Sequence, residues 1–240
     1  MRGETPAFAA PLATFVVPRF SLAGVPHLLG SDRVGAVRVH VLGPEGTNIE
    51  QAGQAWAAAR GIADKTSYML CPTPEEEVER CRQETRPGVL PIFVLCAVYY
   101  QLNVLFFGNP DCILFLDSLS MPLDELQLAG RPGTPAAGGG TVIVHPSPSV
   151  LVAGRDGYDA VPARSNAEAA RRCADGGEGG DGGDVLCITT RTAGRIHGLQ
   201  TLHRFGSPPM LFTFGTTPHG IHLLEQAASA GVGATGAGEC

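Results

Sequence analysis

The sequence predicts an α/β fold, and three observations predict it. Short apolar runs rich in strand-favouring residues alternate with stretches whose apolar residues recur at helical spacing. Gly- and Pro-bearing turns separate the two kinds, so most strands hand over to a helix within a few residues. The 240 residues, 44% hydrophobic and 17% charged, are enough for one large domain or two small lobes with a real core. Alternation of this kind implies largely parallel sheets, because a parallel pair needs a crossover connection.

Residues 1–33 have no clean period and carry several prolines, so they are expected to form an extension lying on the fold. Val34 to Leu42 alternates apolar and polar positions and is the first expected strand. The turn Gly43-Pro44-Glu45-Gly46 follows, where Gly46 can take a positive φ at little cost. Thr47 or Asn48 then caps a helix to Arg60, with Ile49, Ala52, Trp56 and Ala59 on one face and Gly61 as its stop. After a strand over Ser67–Cys71, Thr73 reads as an N-cap and Pro74 as the first helical residue. Glu75, Glu76 and Glu77 suit the positive end of that helix. Consecutive glutamates fan around a helix and do not converge on one ion, so a solvated face is expected rather than a metal site.

Val89 to Tyr100 reads as a buried strand. Leu102–Phe107 and Cys112–Leu116 look like further strands around the turn Gly108-Asn109-Pro110-Asp111. Residues 131–140 form a Pro/Gly/Ala loop, and Thr141–Val144 a short strand running into His145-Pro146-Ser147-Pro148-Ser149. A helix over Asn166–Ala174 has Ser165 as its cap, and 176–183 is a flexible surface loop. Asp184–Thr189 is a strand, Thr192–Gly198 begins a helical turn, and Leu211–Phe214 is a last strand. Residues 228–240 are a Gly/Ala tail expected to be disordered.

A net charge of −6 argues against nucleic acid or an anionic membrane as the main partner, but leaves room for a small anion held by a few local donors. The seven cysteines show no zinc spacing and several lie in apolar runs, so buried free thiols in a reducing compartment are expected. Prolines break the apolar stretch Ala7–Val17, and Glu4 stands where a signal peptide wants positive charge. The run Val89–Leu105 is interrupted by Pro91, Gln101 and Asn103. No membrane span is therefore expected, and the cytoplasm is the default location.

Strand ends that open helices carry the chemistry. Gly46-Thr47-Asn48, His145 to Ser149 and Arg164-Ser165-Asn166 each bring hydroxyls or free helix-start N–H groups to the carboxyl ends of strands. Ligands of open α/β sheets sit there. For Ser147, Ser149 and Ser165 the ordinary role is helix capping and the alternative is ligand contact. No Gly-x-Ser-x-Gly elbow, phosphate-binding glycine loop or His-Glu-x-x-His is present. His219 and His222 lack a third metal ligand and read as packing or surface histidines.

Taken in order, the motifs resemble the prephenate dehydratase family. Gly43-Pro44-Glu45-Gly46-Thr47 with Glu50 and Ala52 is similar to its opening signature. Pro74 to Glu84 leading into Gly88-Val89-Leu90-Pro91 sits where the family has a second helix and a proline-ended strand. Val144-His145-Pro146-Ser147-Pro148, Ser165-Asn166-Ala167-Glu168-Ala169-Ala170 and His197-Gly198-Leu199-Gln200 look like its His-Pro segment, its Ser-Thr-x-x-Ala-Ala helix start and its Tyr-Gly-Leu turn. Within the family the likeness is nearer to the prephenate decarboxylases of bacilysin-type antibiotic biosynthesis than to true dehydratases. It covers 38–91 and 141–216 well, and 92–135 poorly.

The resemblance implies an α/β, two-lobed fold like a type II periplasmic binding protein, as in the prephenate dehydratase catalytic domain. It divides the chain into lobe 1 (34–91 and 184–227) and lobe 2 (92–183), with the substrate between them. The implied function is a cofactor-free, non-aromatising prephenate decarboxylase, a lyase of a secondary-metabolite pathway that works as a homodimer on a dianionic small molecule. The alternatives are a dehydratase with a degenerate motif and a non-catalytic small-carboxylate binding protein. Thr47 and Ser147 are the implied catalytic residues. Gly46, Asn48, Glu50, His145, Ser149, Ser165, Asn166, Thr189 and Arg191 are the implied substrate contacts.

Three departures bear on the reaction. Where dehydratases carry Thr-Arg-Phe, this chain reads Pro208-Pro209-Met210-Leu211-Phe212, without Thr or Arg in register. Ile92-Phe93-Val94-Leu95-Cys96 replaces a polar segment of the bacilysin-type enzymes, and Thr189-Thr190-Arg191 replaces their Thr-Asn-Glu. No counterpart of the regulatory ACT domain is visible.

Overall fold

The computed structural model of the protein describes residues 18–110, 114–135, 139–154, 156–176 and 184–234. In chain order its first elements are α1 (Val25–Leu29), β1 (Ala36–Leu42), α2 (Asn48–Ala59), β2 (Thr66–Cys71), α3 (Pro74–Gln83), β3 (Val89–Cys96) and α4 (Leu102–Gly108). Then come β4 (Leu114–Pro122), β5 (Leu126–Gly130), β6 (Gly140–Val144), β7 (Tyr158–Pro162), α5 (Asn166–Ala174) and β8 (Val185–Thr190). The last are α6 (Arg191–Ile196), β9 (Gln200–Gly206), β10 (Pro209–Thr216) and α7 (Pro218–Ala234).

Alternation along β1 sets the first lobe. Val37, Val39 and Val41 turn to one face of the sheet, where they meet Trp56 of α2, Phe212 and Phe214 of β10 and Leu224 of α7. Trp56 stacks on Phe214 at 4.6 Å, and its indole N–H donates to Asp117 of β4 at 2.8 Å. The opposite face packs Phe93 and Leu95 of β3 against Val78 and Cys81 of α3 and Leu105 of α4. This sheet runs β2-β1-β3-β10-β4, and a second runs β7-β6-β8-β5-β9 with α5 packed on β8.

The sheets are mixed, not largely parallel. β1 is parallel to β2 and β3, and β6 to β7 and β8, but β10 is antiparallel to β3 and β4, and β5 to β8 and β9. The cause is the connection between lobes. The chain crosses once after β4 and returns once before β10, so β5 and β10 enter their sheets from the shared side and run against the neighbours that end there.

Sheet membership also moves the expected lobe boundaries. Strands β3 and β4 belong to the first sheet and β8 and β9 to the second, because the crossings fall at 123–125 and 207–208.

Other expectations change locally. Leu102–Phe107 is helical as part of α4, with Leu105 buried; a short apolar run has no period that separates strand from helix. The strand expected to Tyr100 ends at Cys96. Residues 228–234 of the expected tail continue α7, while 235–240 lie outside the described residues, as do 1–17 and most of the expected loop 176–183. The part of the expected extension that is described carries α1, whose Val25 and Leu29 are buried in the first core. Among the three glutamates of α3, Glu75 is exposed but Glu77 is fully buried, so that face is not wholly solvated. Cys71, Cys81, Cys173 and Cys187 are buried and Cys96 half-buried, none of them in a disulfide; Cys112 and Cys240 lie outside the described residues.

Candidate functional site

Parallel strands of both sheets end at one place. After β1, β2 and β3 of the first lobe, and β6, β7 and β8 of the second, the chain turns into the walls of a single cleft of about 760 Å³ between the lobes. Four helices begin at this cleft, each capped by a hydroxyl. Thr47 accepts from Glu50 N–H at 3.2 Å, Thr73 from Glu76 N–H at 3.2 Å, Ser165 from Glu168 N–H at 3.0 Å and Thr190 from Ala193 N–H at 3.3 Å.

The four starts are not equivalent. Pro74 removes one N–H from the opening of α3. At α6 the opening N–H groups are already used: Arg191 donates to the Glu125 carbonyl at 2.8 Å and Thr192 to the Asp124 carboxylate at 2.7 Å. That leaves α2 of one lobe and α5 of the other with helix-start donors facing the cleft.

Of the expected site residues, Gly46, Thr47, Asn48, His145, Ser147, Ser165 and Asn166 line the cleft, and Glu50, Ser149, Thr189 and Arg191 do not. Gly46 takes the expected positive φ, 85°. Glu50 is a capping residue, its carboxylate accepting from Gly46 N–H at 2.7 Å. Ser149 turns its hydroxyl back onto the Pro146 carbonyl at 2.6 Å. Thr189 faces the core and donates to the Asn166 carbonyl at 2.7 Å; the next residue, Thr190, is the one at the cleft. Arg191 is exposed on α6. Thr47 is at the cleft, but its hydroxyl proton is spent on the Leu42 carbonyl at 2.7 Å, so it fixes the α2 start rather than offering a donor. Asn48 reaches the interlobe crossing, where its Oδ1 accepts from Asp124 N–H at 2.8 Å.

The remaining wall is mostly apolar. Leu42, Ile49, Leu95, Leu123, Met210 and Phe212 contribute to it, and Pro208, Met210 and Phe212 come from the segment without the Thr-Arg pair. Of the replaced segment Ile92–Cys96, only Leu95 and Cys96 reach the cleft. Tyr99 and Tyr100 also line it, and periodicity could not have placed them there. The Tyr99 hydroxyl donates to Glu75 at 2.9 Å, and Tyr100 of the first lobe meets His145 of the second edge-on at 6.4 Å.

Burial lowers the His145 pKa, and Ser147 N–H donates to its Nδ1 at 3.2 Å, which puts the proton of the neutral ring on Nε2. Burial pushes the Cys96 thiol up, and burial with the Glu75 contact pushes the Tyr99 phenol up. The acidic and basic side chains lining the cleft, histidine aside, are Glu75, Arg164, Glu168 and Arg172.

His219 Nε2 lies 3.2 Å from the Arg86 carbonyl and His222 Nε2 2.9 Å from Gln226, so each has an ordinary local partner. Among the described residues, no group of three His, Cys, Asp or Glu side chains could hold a metal ion, and no helix is long and apolar enough to cross a membrane.

No family model and no curated protein matches the sequence. Solved structures do match. A prephenate dehydratase from Arthrobacter aurescens, in complex with L-Phe, aligns with a TM-score of 0.51 at 19% identity over 76% of this chain and 61% of that one. The periplasmic VFT2 domain of Bordetella pertussis BvgS aligns with a TM-score of 0.51 at 15% identity over 89% and 94%. The protein thus spans little more than three fifths of the dehydratase chain, and nearly all of the VFT2 domain. What it shares with both is a fold: two α/β lobes, like those of a prephenate dehydratase and of periplasmic binding domains.

Proposed function

We propose that the cleft takes a prephenate-like dicarboxylate and removes its ring carboxylate while the ring hydroxyl stays, a non-aromatising decarboxylation. The observation that carries this reading is the division of the cleft. Helix-start donors of α2 and α5 offer one carboxylate a site, and much of the remaining wall is apolar. A second carboxylate lying against Leu95, Met210 and Phe212 would lose hydration without gaining a cation. Spreading its charge into the diene as carbon dioxide leaves relieves that cost. The released electron pair enters the ring, and a proton added to a ring carbon completes the balance.

Loss of the hydroxyl would need an acid beside it. Burial disfavours the imidazolium form of His145 and makes the Cys96 thiol a weaker acid, and the segment Pro208–Phe212, which resembles the place where dehydratases carry Thr-Arg-Phe, holds neither Thr nor Arg. Ser147, exposed beside the half-buried His145, offers a hydroxyl that can meet substrate. The match to the VFT2 domain over nearly its whole length favours a second reading, a non-catalytic receptor for a small carboxylate.

Incubation with prephenate separates the readings by following diene absorbance, carbon dioxide and phenylpyruvate. Carbon dioxide without phenylpyruvate is expected. Phenylpyruvate would replace the proposal with a dehydratase, and binding without turnover would leave the receptor. Ser147→Ala should lower turnover with little change in melting temperature.

A further inference from the structure

The charged residues lining the cleft sum to zero but are not evenly placed. Glu75 stands on the first lobe, while Arg164, Arg172 and Glu168 stand together on the second. Arg164 spends its fork on Glu168, with Nε and Nη2 at 3.1 and 3.2 Å from the carboxylate. Arg172 is different. Its Nη1 donates to the carbonyl of Pro162, itself a cleft residue, at 2.8 Å. That single bond holds the guanidinium at the end of β7 and leaves Nε and Nη2 uncommitted. Two guanidiniums around one carboxylate give this lip a net positive charge. Helical side chains lean toward the N-terminus, and Arg172 lines the same cleft as Ser165, Asn166 and Ala167, the residues that open α5. Glu168 responds to the cluster: burial pushes its carboxyl up, but the bonds and charge of Arg164 and the charge of Arg172 bring it below its ordinary value.

We infer that Arg172 is the carboxylate anchor of the cleft, and that the ligands it selects are organic acids with an apolar body. This rests on the reading above that the cleft holds a carboxylate; it adds the residue that supplies the charge. A planar fork already fixed at one nitrogen meets a carboxylate with little ordering cost.

The test compares phenylpyruvate with its methyl ester by calorimetric titration of the full chain. Arg172→Gln should weaken phenylpyruvate by about tenfold or more and leave the ester unchanged. Arg172→Lys, which keeps the charge and loses the fork, should fall between. The wild-type affinity should decline with added salt and that of Arg172→Gln should not. Melting temperatures of both variants, half-exposed at this position, should stay close to wild type.

Equal phenylpyruvate affinity in wild type and Arg172→Gln overturns the inference, as does failure of the wild type to bind phenylpyruvate at all. The two proposals can also fail separately. Prephenate turnover with an unchanged KM in Arg172→Gln would remove the anchor and keep the decarboxylase. Loss of phenylpyruvate binding in the variant of a protein that never releases carbon dioxide would do the reverse.

Discussion

Asp124 sits at the crossing between the lobes and is bonded to both. Its backbone N–H donates to Asn48 Oδ1 at 2.8 Å, at the start of α2, and its carboxylate accepts from Thr192 N–H at 2.7 Å, at the start of α6. Asp124→Ala removes the second bond and a negative charge from the first turn of α6. A lost helix cap costs about 1 kcal/mol, and the lost charge about 0.3–1 kcal/mol. The sum is about 1–2 kcal/mol, which for a chain of this length lowers the melting temperature by about 2–8 °C. Asn48→Ala removes the first bond and should cost about 1 kcal/mol. Thermal unfolding followed by circular dichroism reads the stability, and small-angle X-ray scattering the lobe separation. The expected outcome is a lower melting temperature and a larger radius of gyration in Asp124→Ala. If stability drops while the scattering curve is unchanged, Asp124 is only a cap. The lobe angle is then set by Leu123 N–H on Pro208 and Arg191 N–H on Glu125. If neither quantity moves, the account of the crossing is wrong.

Three other predictions concern the scaffold. Both ring nitrogens of His40 are buried without partners, and burial, reinforced by the charge of Arg38, lowers its pKa from 6.5 to about 4. The unfolded chain therefore takes up this proton first. The associated stability, about 3 kcal/mol, is complete above pH 6.5 and lost as pH falls toward 4, and His40→Leu should flatten that part of a denaturation series. Glu84, held at about 2 chiefly by the Arg86 hydrogen bonds, loses its contribution in a lower window, from 4.5 downward, which keeps the two separable. Glu77 is fully buried, burial raises its carboxyl well above the ordinary range, and neither oxygen has a hydrogen bond of good geometry. Glu77→Leu should stabilise the protein by about 1–3 kcal/mol at neutral pH in urea unfolding; a loss of stability would reveal a buried partner. A Cβ on Gly194 would stand 2.3 Å from Nε2 of the buried Gln127, whose Oε1 already accepts from Thr201 at 2.6 Å. Gly194→Ala should therefore cost about 1–3 kcal/mol despite the better helix propensity of Ala, and a neutral or higher melting temperature would contradict the packing.

Much of the site was legible because capping is local. Thr73 and Ser165 cap their helices as read, and of the two candidates Thr47 and Asn48 it is Thr47 that caps α2; in all three an acidic residue stands three positions on. What the sequence hides is direction. Thr189 and Thr190 differ by one position and face opposite sides of β8, so a polar strand end does not reveal which residue meets a ligand. Thr47 looks like a donor until the Leu42 carbonyl takes its proton. Arg172 carried a usable signal, since a long side chain two turns into α5 leans toward the helix start, whereas Arg191 was placed by adjacency alone. Leu102–Gly108 and the strands β5, β7 and β9 escaped because short segments are decided by what they pack against. The mixed strand directions follow from where the chain crosses, a non-local choice that no window of residues contains.

That crossing pattern has a consequence for synthesis. The second sheet is drawn from one uninterrupted segment, 126–206, whereas the first needs β10 between β3 and β4, both made long before it. As the chain leaves the ribosome, the later-made lobe can therefore finish its sheet while the earlier one still has a vacant slot beside its edge strand β4. Until β10 arrives, the facing edges of β3 and β4 stay unpaired, and the first lobe is the part a chaperone would have to shield.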